Sequence, residues 1–519
     1  MLHLDDAELH LPRVWAGHAE YYPGKTAVVC GRERLSWGEL NDRLNQVANT
    51  LISAGIRKGD KVAVLMSNSL EMFVIMYGIS KAGACMVPIS GLLTPDQVTG
   101  LVDDSDARML FVSASLEHLV ELSSESIGKV ESDKRIAVGF EAEGWQTFGN
   151  WLDNRATHNP VVDYGMDDEF NIIYSSGTTG VPKGIVQTHK ARLHWSYSNA
   201  LEMRFTRNSV ALATTSLYSN GTWFMLLPPM LLGATIVIME QFSPESLLEL
   251  IAAERVTHTF MVPTQFITAL EHPDFDSYDL SSLQTMVSAG SPLRADTKDE
   301  ILERMGGGLY ELYGFSEGFA TIIRPEEVRD RTGSVGTPVL GFELAILDDD
   351  GESLPRGKIG EIAGYGKGLM KGYYKRPEAT DELIWKDPEG RTFLRSGDVG
   401  KLDDDGFLYI LDRKKDMIVS GGFNVFPKDI EALIGRHDDV SDVAVIGIPH
   451  PKWGESPFAL VVPKPGAEID VGALRSWANE RLAKPQRLAG LELREELPRN
   501  ALGKVLKREL REPYWKGAS

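Results

Sequence analysis

Apolar positions along this chain fall into two alternating rhythms. The runs "TAVVC" (26–30) and "KVAVLM" (61–66) are short, rich in β-branched residues and suited to buried strands. Between them, "SWGELNDRLNQVANTLISAG" (36–55) places Leu40, Leu44, Val47 and Leu51 on one helical face. Ser36 and Glu39 form the S-x-x-E signature of a capped helix start, and Gly55 stands where a helix end favours left-handed backbone. The same alternation returns in "SLEMFVIMYGISKAG" then "CMVPI", and in "SPESLLELIAAERV" then "THTFMVP". Strand and helix in turn predict α/β layers built on parallel strands.

From about Gly333 the texture changes. "FELAILD", "GEIAGYG" and "GFLYILD" are strand candidates separated by turns such as "DDDGES" and "DDDGF", which predicts a β-rich, barrel-like subdomain. After "LDRKKDM" the alternation restarts with "KDIEALIGRH", "VSDVAVIGIP", "FALVVPK" and "VGALRSWANERLA", enough for a small α+β domain. The expected organisation is therefore α/β. A large N-terminal domain covers 1–413, with layered α/β subdomains plus the β-rich one, and a small α+β domain covers 414–519.

Composition narrows the function. The 519 residues are 43% hydrophobic, which fits more than one well-filled core. Asp plus Glu total 74 against 54 Lys plus Arg, a formal charge of -20, so general capture of nucleic acid or of an anionic membrane is not expected. Any polyphosphate must be held by local groups. Two cysteines, Cys30 and Cys85, lack metal-site or disulfide-framework spacing and suit a reducing cytoplasm. The N-terminus carries early acids and reads as no signal peptide. Residues 208–239 carry no charge, but Pro228, Pro229 and Gly233 interrupt them, so a buried helix and then a buried strand, "ATIVIM", is expected rather than a membrane span.

The chemistry centres on "YSSGTTGVPKG" (174–184), which follows a strand-like run. Gly177, Gly180 and Gly184 let backbone N–H groups approach an anion; Ser175, Ser176, Thr178 and Thr179 add hydroxyls, and Lys183 adds charge. The spacing is not that of a G-x-x-x-x-G-K-[ST] P-loop. The stretch resembles the phosphate-loop motif of the AMP-forming adenylating superfamily: acyl- and aryl-CoA synthetases, peptide-synthetase adenylation domains and beetle luciferases. Further motifs resemble that family in order: "ELYGFSEG" (311–318), "GEIAGYGKGLMKGYYKRPEAT" (360–380), "RSGDVG" (395–400), "LDRKKDMIVSGGFNVFPKDIE" (411–431) and "LPRNALGKVLKREL" (497–510). Bacterial acyl-CoA synthetases are the most similar branch.

The resemblance implies that ATP and Mg²⁺ activate a carboxylic acid as acyl-AMP, which then passes to CoA. It implies that Ser175, Ser176, Gly177, Thr179, Gly180 and Lys183 hold the phosphates, with Thr178 and Glu317 at the metal. Ala289, Gly290, Ser291, Glu311, Leu312, Tyr313, Gly314 and Ser316 would line the nucleotide, Tyr313 stacking on adenine, while Asp398 and Arg413 take the ribose. Lys504 would bridge the acyl carboxylate and the α-phosphate, Lys415 would serve as the hinge, and Gly421 and Gly422 would border the CoA tunnel.

The acyl pocket expected on the same grounds holds Leu217, Tyr218, Asn220, Trp223, Met261, Val262, Ser288 and Phe315. Its segments carry no Lys, Arg or His, so an apolar monocarboxylic acid, fatty or aromatic, is the expected substrate. The sequence departs from the family pattern at Ser219, where a bulky His or aromatic residue is common, and has Ser316 and Ser396 where threonine is usual. The expected partners are small molecules, with a homodimer admissible. A ligase that loads a carrier protein and a catalytically silent homologue are the alternatives.

Overall fold

The computed structural model describes residues 8–122, 127, 129–152, 156–175, 182–421, 423–499 and 505–516. By internal contacts the chain divides into two compact units. The first comprises Met1–Asp330, Pro338–Glu343 and Tyr365–Ile384; the second comprises Arg331–Thr337, Leu344–Gly364 and Trp385–Ser519. The β-rich segment thus groups mainly with the C-terminal residues.

The first unit opens with a hairpin, β1 (Thr26–Cys30) and β2 (Glu33–Ser36). Then come β3 (Lys61–Leu65), β4 (Cys85–Pro88), β5 (Ala107–Ser113), β6 (Arg135–Val138) and the short β7 (Gln146–Thr147), followed by β8 (Glu169–Ser175) and β9 (Lys183–Thr188). The later strands are β10 (Val210–Ala213), β11 (Thr235–Ile238), β12 (His258–Met261), β13 (Thr285–Ser288), β14 (Gly308–Gly314) and β15 (Ala320–Ile323). One sheet runs β9-β8-β4-β3-β5-β6-β7, and another runs β15-β14-β13-β12-β10-β11-β1-β2. β10 to β14 are parallel neighbours, while β14–β15 and β8–β9 are antiparallel hairpins.

Local choices agree with this topology. The helix Trp37–Ser53 starts at the reciprocal capping box of Ser36 and Glu39, buries Leu40, Leu44, Val47 and Leu51, and is followed by Gly55 at φ +87°. The uncharged stretch 208–239 forms β10, the helix Leu227–Leu232 and the fully buried β11, with Gly233 left-handed between the last two. Among the described residues no helix is long and apolar enough to cross a membrane.

The second unit contains the antiparallel strands Gly360–Gly366, Thr392–Leu402 and Leu408–Arg413. Beyond them, the helix Pro427–Ile434 and the hairpin of Val440–His450 with Gly454–Pro463 share a core. The helix Val471–Arg481 and the strand Gly490–Leu493 complete that core, which is the α+β arrangement expected for the C-terminal segment.

Three histidines of the first unit are buried and kept neutral. Desolvation lowers His189, His194 and His258 to about 4 each. His258 stacks on Phe205 at 3.9 Å between ring centres, donates from Nε2 to the Met203 carbonyl at 3.0 Å and pairs Nδ1 with the Thr257 hydroxyl at 2.7 Å. An unfolded chain takes up these protons below about pH 6.5, whereas the folded chain resists until about pH 4, so stability is full above 6.5 and falls through that window. Unfolding followed from pH 7 to 4.5 is expected to show this loss, with His258→Gln giving a shallower slope, by up to about 1.4 kcal/mol per pH unit.

Candidate active site

The carboxyl ends of parallel strands lie beside one another where the segments expected to line the pocket begin. Ala213 pairs with Phe260, Met261 with Ser288, and Ser288 with Glu311, so β10, β12, β13 and β14 finish side by side. The segments that leave these ends are 214–225, 262–265, 289–291 and 315–319. They carry most of the residues expected around acyl group and nucleotide. In open α/β sheets the crevice outside the carboxyl ends is where ligands bind, because there the backbone leaves the ladder and its polar groups become available. Gly290, at φ +94°, makes the turn out of β13 in a conformation that suits glycine.

Glu317 lies in the tight hairpin between β14 and β15, where Gly314 pairs with Ala320. Its carboxylate Oε1 accepts from the Tyr373 hydroxyl at 2.6 Å, and its carbonyl accepts from the Met370 backbone at 2.7 Å. Gly318 must be glycine for this approach, since a Cβ there would stand 2.9 Å from the Leu369 Cα. The preceding Ser316 carbonyl accepts from Gln187 Nε2 at 3.0 Å, which ties the hairpin to β9. Lys183, first residue of β9, holds its ammonium 4.8 Å from the Tyr373 ring centre. Burial, and then the Glu317 charge, push the Tyr373 phenol above its ordinary value, so it stays a hydrogen-bond donor.

The phosphate-loop residues Ser176, Gly177, Thr178, Thr179 and Gly180 lie outside the described residues. Their two flanks do not: Ser175 and Lys183 are register partners in the β8–β9 hairpin. The loop therefore leaves and re-enters one ladder beside Lys183, in the same unit as Glu317. No group of three or more His, Cys, Asp or Glu side chains able to hold a metal occurs among the described residues. The carboxylate of Glu317 suits the Mg²⁺ role that the resemblance implies for it, since Mg²⁺ keeps several waters and takes phosphate oxygens as its other ligands.

In the second unit, Asp398 and Arg413 are cross-strand partners, with Arg413 Nε 3.3 Å from Asp398 Oδ1. Asp398 is buried, its N–H donates to the Ser396 hydroxyl at 3.0 Å, and that hydroxyl donates to the Ile362 carbonyl at 2.8 Å. Serine thus does structural work where the family commonly has threonine. Lys414 donates its N–H to the Gly397 carbonyl, and the Lys415 carbonyl accepts from Arg511 Nη1 at 3.1 Å. Gly421 is left-handed at φ +59°, and a Cβ there would lie 2.9 Å from the Trp453 ring. Gly422 and Lys504 lie outside the described residues.

The residues expected to line the acyl pocket have unequal settings. Leu217 and Trp223 are fully buried, and Leu217 donates its N–H to Asn68 Oδ1 at 2.8 Å. Tyr218 and Asn220 are partly buried, and Val262 is buried before the helix Pro263–Leu270. Phe315 packs edge-on against Phe319 at 4.9 Å, and the Ser288 hydroxyl is buried without a partner among the described residues. Met261 is packed in the apolar core with Leu212 and Met286, and the β12 side chain that meets the 220–224 turn is its neighbour Phe260, against Gly221 and Phe224. Strand alternation sends consecutive residues to opposite faces, so neighbouring positions cannot both face that turn.

Three residues outside the sequence-based set join this site. Tyr373 lies within a quoted motif, yet nothing in the motif couples it to Glu317. Gln187 and Arg192 had no local signal. Arg192, from the helix His189–Glu202, donates Nε to Asn171 Oδ1 at 2.8 Å and Nη2 to Asn220 Oδ1 at 3.0 Å, and lies 4.8 Å from the centre of the Trp223 ring. Burial lowers it to about 9, which leaves it charged at neutral pH. The expected pocket segments are free of cations, but this helix brings one against two of their residues.

Residues 15–374 match the family of AMP-binding enzymes, and residues 429–504 match the AMP-binding enzyme C-terminal domain. A feruloyl-CoA synthase of an Amycolatopsis species is 34% identical over 96% of this chain and 97% of its own length. The long-chain-fatty-acid–CoA ligase FadD13 of Mycobacterium tuberculosis is 32% identical over 93% of each chain. Among solved structures, ATP-bound MatB from Rhodopseudomonas palustris superposes with a TM-score of 0.88 at 28% identity, covering 98% of this chain and 100% of that one. The chain belongs to the AMP-binding enzyme family. It is an AMP-forming acid–thiol ligase of the acyl- and aryl-CoA synthetase class, whose co-substrates are ATP and CoA and whose metal is Mg²⁺.

The Tyr373 hydrogen bond has a measurable role. Tyr373→Phe removes one donor from Glu317 and frees the carboxylate to turn in its hairpin. On the metal role that the resemblance implies for Glu317, AMP formation titrated with magnesium is expected to need several-fold more metal for half-maximal rate, the loss of about one charge-assisted hydrogen bond. An unchanged magnesium dependence would show that Tyr373 does not position Glu317.

Proposed function

We propose that the acid activated here is a largely apolar monocarboxylic acid, aromatic or fatty, and that CoA is its acceptor. The observation that carries this reading is the lining at the carboxyl ends of β10 to β14. Leu217, Trp223, Phe224, Phe260 and Val262 are apolar there, and no carboxylate or lysine is among them. Such a wall favours hydrocarbon and leaves the carboxylate to point at the nucleotide. The relatives named for ferulate and for long-chain fatty acids support both branches of the class.

In the first half-reaction a carboxylate oxygen attacks the α-phosphorus of ATP. The bond from that phosphorus to the bridging oxygen breaks, and pyrophosphate leaves. The acid is already ionised near neutrality, so no general base is required. The site must instead hold an anion against a polyanion, and donors aimed at the developing charge do this. We assign the loop from Ser175 to Lys183 to the β- and γ-phosphates, and Lys504 to the acyl carboxylate and α-phosphate. Ala289, Gly290, Ser291 and the β14 end from Glu311 to Gly314 are assigned to adenine, and Asp398 with Arg413 to the ribose. Glu317 and Thr178 would hold Mg²⁺, which supplies charge neutralisation for the leaving pyrophosphate.

In the second half-reaction the CoA sulfur attacks the acyl carbon as its thiol proton leaves, and the bond to AMP breaks. We assign Lys415 to a hinge that lets residues 414–519 serve each half-reaction in turn, and Gly421 and Gly422 to the path of the pantetheine arm, where small residues allow close passage. The cytoplasm is the location we assign, consistent with two free, buried cysteines, and a homodimer is compatible with it.

CoA-dependent AMP formation over a panel of fatty, benzoic and cinnamic acids tests this reading. One acid class is expected to give AMP and acyl-CoA. Lys504→Ala is expected to lower acid-dependent pyrophosphate release by about 10²-fold or more, and thioester formation from supplied acyl-AMP far less. A dicarboxylate as best substrate would overturn the substrate class, and pyrophosphate release without acyl-CoA would overturn the acceptor in favour of a carrier protein.

A further inference from the structure

Arg192 is 2% exposed, and no carboxylate among the described residues neutralises it. Its two hydrogen-bond acceptors are the neutral side-chain oxygens of Asn171 and Asn220, and its Nη1 donates to none of the described residues. Buried charges are ordinarily paired, because desolvating a lone one is expensive. The groups around it share the same imbalance. Asn171 Nδ2, Trp223 Nε1 and the Tyr77 hydroxyl are each buried with no hydrogen-bond partner among the described residues.

These groups are neighbours. Asn171 Nδ2 belongs to the amide whose oxygen Arg192 holds at 2.8 Å, the Trp223 ring lies under the guanidinium at 4.8 Å, and the Tyr77 ring centre is 6.3 Å from that of Trp223. Both amide oxygens are taken by Arg192, so what remains is a surplus of donors beside a fixed positive charge. The matching ligand group is an oxygen acceptor. Asn220 and Trp223 place the cluster at the acyl pocket.

We infer that Arg192 is a specificity-determining residue whose buried donor cluster receives an oxygen acceptor at the far end of the acyl substrate, selecting aryl acids that carry a ring hydroxyl, methoxy or carbonyl oxygen over wholly hydrocarbon acids. This rests on the acyl-pocket reading proposed above. A hydrocarbon tail leaves Arg192, Asn171, Trp223 and Tyr77 unpaired, and a site built to hydrogen-bond a substrate oxygen discriminates strongly against the analogue without it. A pocket that is apolar along its walls and polar at one buried spot reads both the shape and the substituent of its acid.

The test compares kcat/KM for acid pairs that differ only in that oxygen: cinnamic against 3- and 4-hydroxycinnamic and 4-methoxycinnamic acids, benzoic against 4-hydroxybenzoic acid, with octanoic acid alongside. The wild type is expected to prefer one oxygenated acid by about 10-fold or more, and Arg192→Leu to bring that ratio to about 2 or less. Because Arg192→Leu strands two amides and can fail to fold, Trp223→Phe serves as the second variant. It removes one donor and little volume, and is expected to lower the ratio about 3- to 10-fold. An arginine with a merely structural role would depress both members of a pair together and leave the ratio intact, which overturns the inference, as does a wild type that favours octanoate or the oxygen-free acids. Calorimetric binding of the same pairs in the presence of AMP reads the preference without turnover. An enzyme inactive on the whole panel that still binds with an Arg192-dependent preference counts against the substrate proposal and supports this one; equal binding of both members overturns this one. A dicarboxylate as best substrate, its advantage lost in Arg192→Leu, again sinks only the monocarboxylate reading.

Discussion

Strands β10, β12 and β13 are buried on both faces, and that burial confines the chemistry to their ends. Backbone inside the ladder has its N–H and C=O groups satisfied by neighbours, and side chains such as Leu212, Met286 and Leu309 fill the space beside it. Where the strands stop together, the chain must turn out, and the turns carry Asn220, Gly290, Ser316 and Glu317. The reactive edge is thus a consequence of core packing. The same logic holds in the second unit, where Asp398 and Arg413 meet because antiparallel pairing puts residues distant in sequence directly opposite each other.

The polar arrangements around Glu317 and around Arg192, both in the first unit, differ in how complete they are. Around Glu317, Tyr373 donates to the carboxylate and Met370 to the carbonyl, while Gln187 holds the carbonyl just before it, so the hairpin is held from three sides. Around Arg192, donors outnumber acceptors. The first arrangement fixes the residue proposed to hold Mg²⁺. The second leaves capacity for a ligand, in a place where unpaired donors are otherwise costly.

Much of this was legible along the chain because it depends on neighbours in sequence. The helix Trp37–Ser53 was readable from the spacing of Leu40, Leu44, Val47 and Leu51 and from the Ser36–Glu39 box, since both act within a few residues. The family was readable because its motifs are loops and turns with tight backbone demands. The acyl lining was less legible. β12 supplies Phe260 rather than Met261 to the 220–224 turn, and only the pleat decides which of two adjacent apolar residues faces inward.

Local sequence by itself determined the alternation of strands and helices and the membership of an adenylating family, because periodicity, caps and short motifs are properties of contiguous residues. Tertiary structure alone decided that Tyr373 bonds Glu317, that Gln187 steadies Ser316, and that Arg192 lies against Trp223 between two asparagines. Those pairs are separated by 56, 129 and 21 to 31 positions. No periodicity spans such distances; they meet because separate strands and helices pack into one core, and packing selects partners that sequence order does not reveal.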